Sequence, residues 1–277
     1  MLFRLDWRLN RHRSLKRPES SSGDEHGRHT GTTQVTRSPT NPGRFSSPEG
    51  FEAEYAAVEV MLDELEGTGR SLLFTSGVGV LGSGKAELLD EESDYASWPL
   101  VARRVTTEEA VIASASRGVR SAVIRPGMVY GRSVGNGIGL YVEGAARLGI
   151  APYLDDGDAL WPMVHVDDLA DLYLLALQGA APGAIVHGVM PGAVRFREIA
   201  EAAVGGLHLA GGSISWSAEQ FLEAFGPAAP VLLVDQRLAP SRALEELAWR
   251  PSRPDLLYEL VRGGYDGQGC SGARRLG

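Results

Sequence analysis

The first strong hydrophobic pattern of the chain begins after residue 47 and has the spacing of an amphipathic helix. Its apolar positions recur every three or four residues and so fall on one helical face. They are Phe51, Tyr55, Val58, Leu62 and Leu65. Ser47 followed by Pro48 provides an N-cap and a first-turn proline, and Gly67 ends the segment. The pattern predicts a helix that packs one face on a core.

The next pattern is a strand, a helix and a second strand. An apolar run at 71–76 predicts a buried strand, and a second run at 121–125 is stopped by Pro126. Between them, the sequence Thr-Thr-Glu-Glu at 106–109 has the form of a capping box that opens a helix ending at Gly118. This order is typical of a right-handed parallel crossover. We therefore expect an α/β fold built on a parallel sheet.

Helical patterns dominate the second half of the chain. An amphipathic helix is predicted near 166–177, with acidic residues at its positive end. A short strand at 184–189 and a helix at 195–207 follow. Further helical pieces are predicted to start near Ala218, Ser241 and Pro254. The C-terminal part is therefore expected to be mostly helical.

Charge is divided unevenly along the chain. Residues 1–50 hold nine Lys/Arg against five Asp/Glu, whereas the remainder holds eighteen against thirty. An acidic body argues against nucleic acid as the main partner, and no apolar run has the length of a membrane span. Cys270 is the single cysteine, which excludes an internal disulfide and is typical of a reducing compartment. We expect a cytoplasmic protein.

The composition predicts three segments. From Pro18 to Gly50 only Val35 and Phe45 are apolar, among many Ser, Thr, Pro and Gly, so we expect residues 1–46 to form a disordered basic arm. A domain is predicted over 47–265 and a flexible tail over 266–277. The Arg-rich stretch at 1–17 leaves an organellar transit peptide, and hence organellar localisation, as an alternative.

A glycine-rich loop at 77–85 follows the first strand. The Gly-Lys pair at 84–85 follows Gly79 with the spacing of a P-loop, but Ala86 offers no hydroxyl for a magnesium ion. The glycines at the start of the loop also match a dinucleotide fingerprint, which requires a helix directly after it, whereas the sequence there indicates mainly loop. A nucleotide-binding module that uses this loop stays an alternative.

Five motifs follow one another over most of the predicted domain. They are Phe74-Thr75-Ser76-Gly77; Gly118-Val119-Arg120 leading into Ile124-Arg125-Pro126-Gly127-Met128-Val129-Tyr130-Gly131; Gly157-Asp158 with Trp161-Pro162-Met163-Val164-His165-Val166-Asp167-Asp168-Leu169-Ala170; Phe196-Arg197-Glu198-Ile199-Ala200; and Leu247-Ala248-Trp249-Arg250-Pro251. Together they resemble the extended and atypical short-chain dehydrogenase/reductases, the NAD-dependent epimerase/dehydratase-like family. The resemblance implies NAD or NADP as cofactor and oxidoreduction or epimerisation of a small carbonyl or sugar-like substrate.

The chain departs from that family at its N-terminal side. The family binds the cofactor through a strand, a glycine-rich turn and a helix, and residues 1–50 offer no such unit. We therefore expect a truncated Rossmann-type parallel sheet with a mostly helical C-terminal substrate-binding part. We also expect the chain to bind NAD(P)H weakly or not at all. The strand at 71–76 would then lack one neighbour, and its open edge would favour self-association into a homo-oligomer.

The resemblance also implies a set of site residues. The family uses a Tyr as proton donor and a Lys four residues later that lowers its pKa, but Leu100 and Arg104 stand at those positions here. The expected residues are Ser76, Arg104 and Tyr95 as catalytic, Thr75, Arg125 and Pro126 as cofactor-binding, and Tyr130, Trp161 and His165 as substrate-binding. No metal site is expected. Because Leu100 cannot transfer a proton, a non-catalytic binding or regulatory protein of the same fold is the alternative.

Overall fold

A computed structural model describes residues 34–35, 48–83, 87–96, 99–132 and 137–265. The helices are α1 (Pro48–Leu65), α2 (Pro99–Ala113), α3 (Ile138–Leu148), α4 (Val166–Gly179), α5 (Phe196–Leu207), α6 (Ala218–Phe225), α7 (Ser241–Glu245) and α8 (Leu256–Val261). The strands are β1 (Gln34–Val35), β2 (Ser71–Thr75), β3 (Leu88–Leu89), β4 (Arg120–Pro126), β5 (Met128–Tyr130), β6 (Ala151–Leu154), β7 (Leu160–Trp161), β8 (Met163–His165), β9 (Ala184–Gly188), β10 (Val194–Arg195), β11 (Ser213–Trp216) and β12 (Arg237–Leu238).

The largest described sheet is parallel, with strand order β1-β2-β4-β9. Side chains alternate across it, as the two-residue period of a strand requires. Leu72 and Phe74 pack with α1 and α2 on one face, and Leu73 and Ile124 pack with α4 on the other. Helices on both faces of a parallel sheet are the Rossmann-type arrangement expected from the sequence.

The predicted strands at 71–76 and 121–125 and the helix after Pro48 are confirmed, although Ser47 lies outside the described residues. The predicted start of the next helix is wrong. Helix α2 begins at Pro99, and the Thr-Thr-Glu-Glu sequence lies inside it. The hydroxyls of Thr106 and Thr107 donate to the carbonyls four residues earlier, so they do not cap a helix end. A 3₁₀ turn at Ser114–Arg117 follows α2, and it ends at Gly118 as predicted, where φ is 78°.

The expected open edge beside β2 is also corrected. Strand β1 pairs with β2 in parallel, with Gln34 opposite Leu72 and Val35 opposite Leu73. These two residues belong to the segment that was expected to be a disordered arm. A neighbouring strand therefore covers part of the edge of β2, contributed by a region whose sequence has little strand character.

The C-terminal part has its own apolar core. Trp161, Phe196 and Phe221 are its large buried side chains, and α3, α5, α6 and α8 contribute to it. Short strands that the sequence did not predict also pass through this part, including the parallel pair β6 and β11. The predicted helix starts near Ala218 and Ser241 are confirmed, and the last helix begins at Leu256 rather than Pro254, with Asp255 as its N-cap.

Helix α4 holds the C-terminal segment through Asp168. This residue is buried, and its carboxylate accepts hydrogen bonds from the backbone N–H groups of Ser252 and Arg253, at 3.1 and 3.0 Å. Its carbonyl accepts from the Trp249 indole at 2.8 Å. Among the described residues, no helix combines the length and the apolar character that crossing a membrane requires.

Candidate functional site

Polar residues collect where β2, β4 and β9 end, a region that we call the carboxyl edge and that comprises Thr75, Ser76, Arg125, Pro126 and His187. The Ser76 N–H donates to the carbonyl of Ile124 at 2.9 Å, which continues the sheet by one residue. The Ser76 Oγ is buried and has no hydrogen-bond partner within the part of the chain that the structure describes. The carboxyl edge of a parallel sheet is where such folds bind their ligands.

Arg104 of α2 lies beside the end of β2. Its Nη1 donates to the Thr75 carbonyl at 3.2 Å, and its Nη2 lies 3.1 Å from Glu54 Oε2 of α1. Burial raises the pKa of Glu54, and the positive charge of Arg104 partly opposes this shift. The guanidinium is therefore already held by a carboxylate and a carbonyl. Leu100 lies in the first turn of the same helix, four residues before Arg104.

Tyr95, Glu108 and Arg125 form a hydrogen-bonded group over the carboxyl edge. Arg125 Nε and Nη2 donate to Glu108 Oε2 at 3.1 and 2.6 Å, and both side chains are fully buried. The Tyr95 hydroxyl donates to the same oxygen at 3.1 Å. Burial, followed by the negative charge of Glu108, raises the pKa of Tyr95 to about 12. A hydroxyl in this state is a structural donor and a poor acid near pH 7.

Thr75 is fixed from the opposite face of the sheet. Its hydroxyl lies 2.6 Å from the hydroxyl of Tyr173 on α4. The expected residues Thr75, Ser76 and Arg104 are thus brought together at the end of β2. Pro126 also lies close to the end of β2. A Cβ atom added to Gly77 would be 3.9 Å from the Pro126 carbonyl oxygen.

The family model described as the NAD dependent epimerase/dehydratase family matches residues 31–188. The chain belongs to that family. The match covers β1, β2, β4 and β9, of which the last three carry the carboxyl edge, so the residues described above occupy the family's own sheet.

Individual relatives agree with the family assignment. An uncharacterized protein of Schizosaccharomyces pombe is 31% identical over 218 residues, which is 78% of this chain and 72% of that protein. The epimerase family protein SDR39U1 of Mus musculus is 26% identical over 188 residues, 68% of this chain and 63% of its own length. The human SDR39U1 crystal structure with NADPH superposes with a TM-score of 0.64 at 23% identity, over 81% of this chain and 75% of that one. This last likeness shows the Rossmann-type fold.

Two of the expected substrate-binding residues have their polar atoms bound to the C-terminal segment. The Tyr130 hydroxyl donates to the carbonyl of Pro254 at 2.9 Å, and burial raises its pKa. His165 Nδ1 accepts from the Asp167 N–H at 3.1 Å and so caps α4. Its Nε2 lies 3.1 Å from Glu259. The two rings meet edge to face, 5.3 Å apart.

Trp161, the third expected substrate-binding residue, lies in the C-terminal core. Its ring is 4.4 Å from that of Phe196 and 6.0 Å from that of Tyr141. The Trp161 Nε1 and the Tyr141 hydroxyl are both buried, and neither has a hydrogen-bond partner in the described ranges. A role for Trp161 in substrate binding stays a prediction.

The described part of the glycine-rich loop forms a short 3₁₀ turn at Val78–Leu81. Val78, Val80 and Leu81 are buried, and the Gln236 side chain donates to the carbonyls of Val78 and Gly82. A dinucleotide fingerprint would instead open a helix with free N–H groups. The Gly-Lys pair lies outside the described residues.

Glu108 and His187 are site residues that the sequence did not single out. Glu108 lies one turn after Arg104, so helical spacing placed it on the same face of α2. His187 is the register partner of Arg125 in β9. Burial, and next the charge of Arg125, lower the pKa of His187 to about 4. This contact depends on which strand lies beside β4, and the sequence pattern does not specify that.

The family description implies a nicotinamide cofactor. The carboxyl edge fits such a group, because the Ser76 hydroxyl is a buried polar atom without a partner at the place where β2 and β4 end. Within the ranges that the structure describes, no strand is joined to a helix by a glycine fingerprint. In the same ranges, no group of three or more His, Cys, Asp or Glu could hold a metal ion.

Proposed function

We propose that this chain is an NAD(P)-dependent oxidoreductase- or epimerase-like protein that binds a small carbonyl or sugar-like substrate at the carboxyl edge. The supporting observation is the buried Ser76 hydroxyl, for which the described residues provide no hydrogen-bond partner. A hydroxyl at this position can donate to a substrate carbonyl oxygen and polarise it. Family membership and the human relative crystallised with NADPH support the cofactor class.

A nicotinamide cofactor supplies or takes up a hydride when it is bound. The residues of the chain then have to orient the substrate and handle the proton. Ser76 donates to the substrate oxygen, and Arg104 fixes the Thr75 carbonyl and with it the peptide that leads to Ser76. No proton donor stands at Leu100, and the Tyr95 hydroxyl is held by Glu108. We therefore propose slow turnover, with proton transfer as the limiting step.

A non-catalytic binding or regulatory protein of the same fold is the second candidate. Leu100 in place of the proton donor and the pairing of Arg104 with Glu54 favour it. The nucleotide-binding module is not proposed, because the described part of the glycine-rich loop buries its apolar side chains and binds Gln236 through its carbonyls.

The test compares Ser76→Ala with Ser121→Ala. Both serines have buried hydroxyls that bond to none of the residues the structure describes, but Ser121 lies near the start of β4, away from the carboxyl edge. We expect Ser76→Ala to lower kcat/KM for a panel of carbonyl and sugar-like compounds with NADH or NADPH by about tenfold, the effect of one lost hydrogen bond. Ser121→Ala should leave kcat/KM unchanged.

Tryptophan fluorescence titrations with the same compounds separate the two candidates. Binding that Ser76→Ala weakens, without turnover in the parent chain, supports the non-catalytic protein. Binding and turnover that Ser76→Ala leaves intact would refute both assignments of the carboxyl edge.

A further inference from the structure

Two buried polar atoms at the carboxyl edge have no hydrogen-bond partner among the residues that the structure describes. They are Arg125 Nη1 and His187 Nε2. The two residues are register partners in β4 and β9, so strand alternation places their side chains on the same face of the sheet. The unpartnered Ser76 hydroxyl follows β2 on the other side of β4. Orphaned buried atoms are uncommon in folded proteins, and two on neighbouring positions indicate a shared partner.

Arg125 Nη1, the first of the two atoms, is part of a guanidinium whose positive charge is already neutralised by Glu108. Arg125 Nε and Nη2 both donate to Glu108, and neither side chain reaches solvent. Arg125 Nη1 is thus a hydrogen-bond donor within a pair that carries no net charge. It needs an acceptor, but it has no unpaired positive charge that would require an anion.

The second atom is an acceptor. His187 Nδ1 lies 3.1 Å from the carbonyl of Ala239, which can only accept, so Nδ1 carries the ring proton. The ring is neutral near pH 7, because burial and the charge of Arg125 lower its pKa to about 4. His187 Nε2 therefore presents a lone pair and needs a donor.

We propose that Arg125 Nη1 and His187 Nε2 together bind one neutral hydroxyl oxygen, from a water molecule or from a hydroxyl group of a polyol-type ligand. Such an oxygen accepts from Arg125 while its proton is donated to His187. A carboxylate or sulfate oxygen would set a lone pair against that of Nε2, and an ammonium group would set its protons against those of Nη1. The ligand form rests on the proposed function at Ser76, whereas the water form is independent of it.

Crystals of the full chain, without additive and after soaking in glycerol or in sodium sulfate, test the proposal. We expect an oxygen at about 2.7–3.2 Å from both nitrogens. A water that stays in place in glycerol supports the water form, and a glycerol hydroxyl that replaces it supports the ligand form. A direct bond between Nη1 and Nε2, or a sulfate between them, would overturn the proposal.

The variant His187→Asn keeps a side-chain donor toward Ala239 but has no group at the position of Nε2. We expect its crystals to lose the bridging oxygen, whereas Ser121→Ala crystals keep it. An oxygen that persists in His187→Asn counts against the role of Nε2.

Long-range proton–nitrogen NMR of the unmodified chain decides the tautomer even where a variant fails to fold. We expect the His187 proton on Nδ1. A proton on Nε2 would turn the acceptor into a donor and sink the proposal. None of these readouts involves turnover, so a failure of the Ser76 test leaves them interpretable.

Discussion

Arg125 and Glu108 bring a full ion pair into the interior at the end of β4, where both side chains are buried. Such a pair contributes little net stability as a unit, but removal of one partner leaves an uncompensated buried charge. Tyr95 adds a hydrogen bond to the same carboxylate, so two side chains, those of Arg125 and Tyr95, depend on Glu108. Glu108 therefore fixes the side chains of the carboxyl edge more than any residue that is expected to contact the substrate.

Glu108→Gln is expected to lower the free energy of unfolding by about 3–5 kcal/mol, because it strands the Arg125 charge. Glu109→Gln is the matched control, since Glu109 is the next residue of the same helix and is exposed. Its effect should lie within about 0.5 kcal/mol. Urea unfolding measures both, and equal effects of the two substitutions would contradict the importance of the buried pair.

His187 makes stability depend on pH. Its folded-state pKa of about 4 lies below the ordinary value of 6.5, so the unfolded chain binds a proton at higher pH than the folded chain does. The stability due to the neutral ring is complete above pH 6.5 and is lost as the pH falls toward 4. The loss at the lower limit is on the order of 3 kcal/mol.

Unfolding titrations between pH 7 and pH 4, compared with His187→Gln, isolate this contribution. We expect the variant to be less stable at neutral pH but to lose less stability on acidification. His208→Gln serves as the control because His208 is exposed. Identical pH slopes in the parent chain and in His187→Gln would contradict the assigned shift.

The backbone is strained just after helix α7, at Ala248. Ala248 has a φ of 51°, in the left-handed region that favours glycine. The following N–H, that of Trp249, donates to the Ala243 carbonyl at 2.9 Å and closes the helix. This hydrogen bond fixes the backbone of Trp249, whose indole N–H donates to the Asp168 carbonyl. The strained conformation of Ala248 therefore helps to attach the C-terminal segment to α4.

Ala248→Gly is therefore expected to raise the free energy of unfolding by about 1 kcal/mol, since glycine adopts this conformation without a clash. Ala57→Gly makes the same chemical change at an exposed position inside α1 and should lower it by about 1 kcal/mol. Thermal or urea unfolding of the pair gives opposite signs on this account. A loss of stability in both variants would show that the strain at Ala248 is not relieved by glycine.

Elements with a long, regular pattern could be predicted from the sequence, and those set by distant contacts could not. Helix α1 has an apolar face and a terminal proline, which suffice for it. The sequence Thr-Thr-Glu-Glu at 106–109 was misleading, because its hydroxyls bond within the helix that Pro99 begins. Ser76 could be proposed from its motif. His187 could not, because its contact with Arg125 exists only once β9 lies beside β4.

The length of β1 determines how much of the outer edge of β2 is left unpaired in the molecule. It contributes two residues opposite Leu72 and Leu73, while β2 has five. An unpaired edge presents backbone donors and acceptors to other chains. The expected self-association therefore depends on a short pairing made by a segment remote from the rest of the sheet.

The double substitution Gln34→Pro with Val35→Pro removes the N–H groups of β1. We expect more self-association by light scattering at tens of micromolar, because β2 loses its neighbour. Gln34→Ala with Val35→Ala retains the backbone groups and should behave like the parent chain. If the proline variant stays as monodisperse as its alanine control, β1 does not protect the edge.

The anchor at Asp168 has a consequence for the newly made protein. Its carboxylate bonds to N–H groups that follow it by 84 and 85 residues. On the ribosome, β2, β4 and α4 are therefore synthesised long before the turn that satisfies this buried acid. Until that turn emerges, the Asp168 carboxylate of the nascent chain is unpaired and one face of the sheet is uncovered. We therefore expect chaperones to bind this face while the last part of the chain is being synthesised.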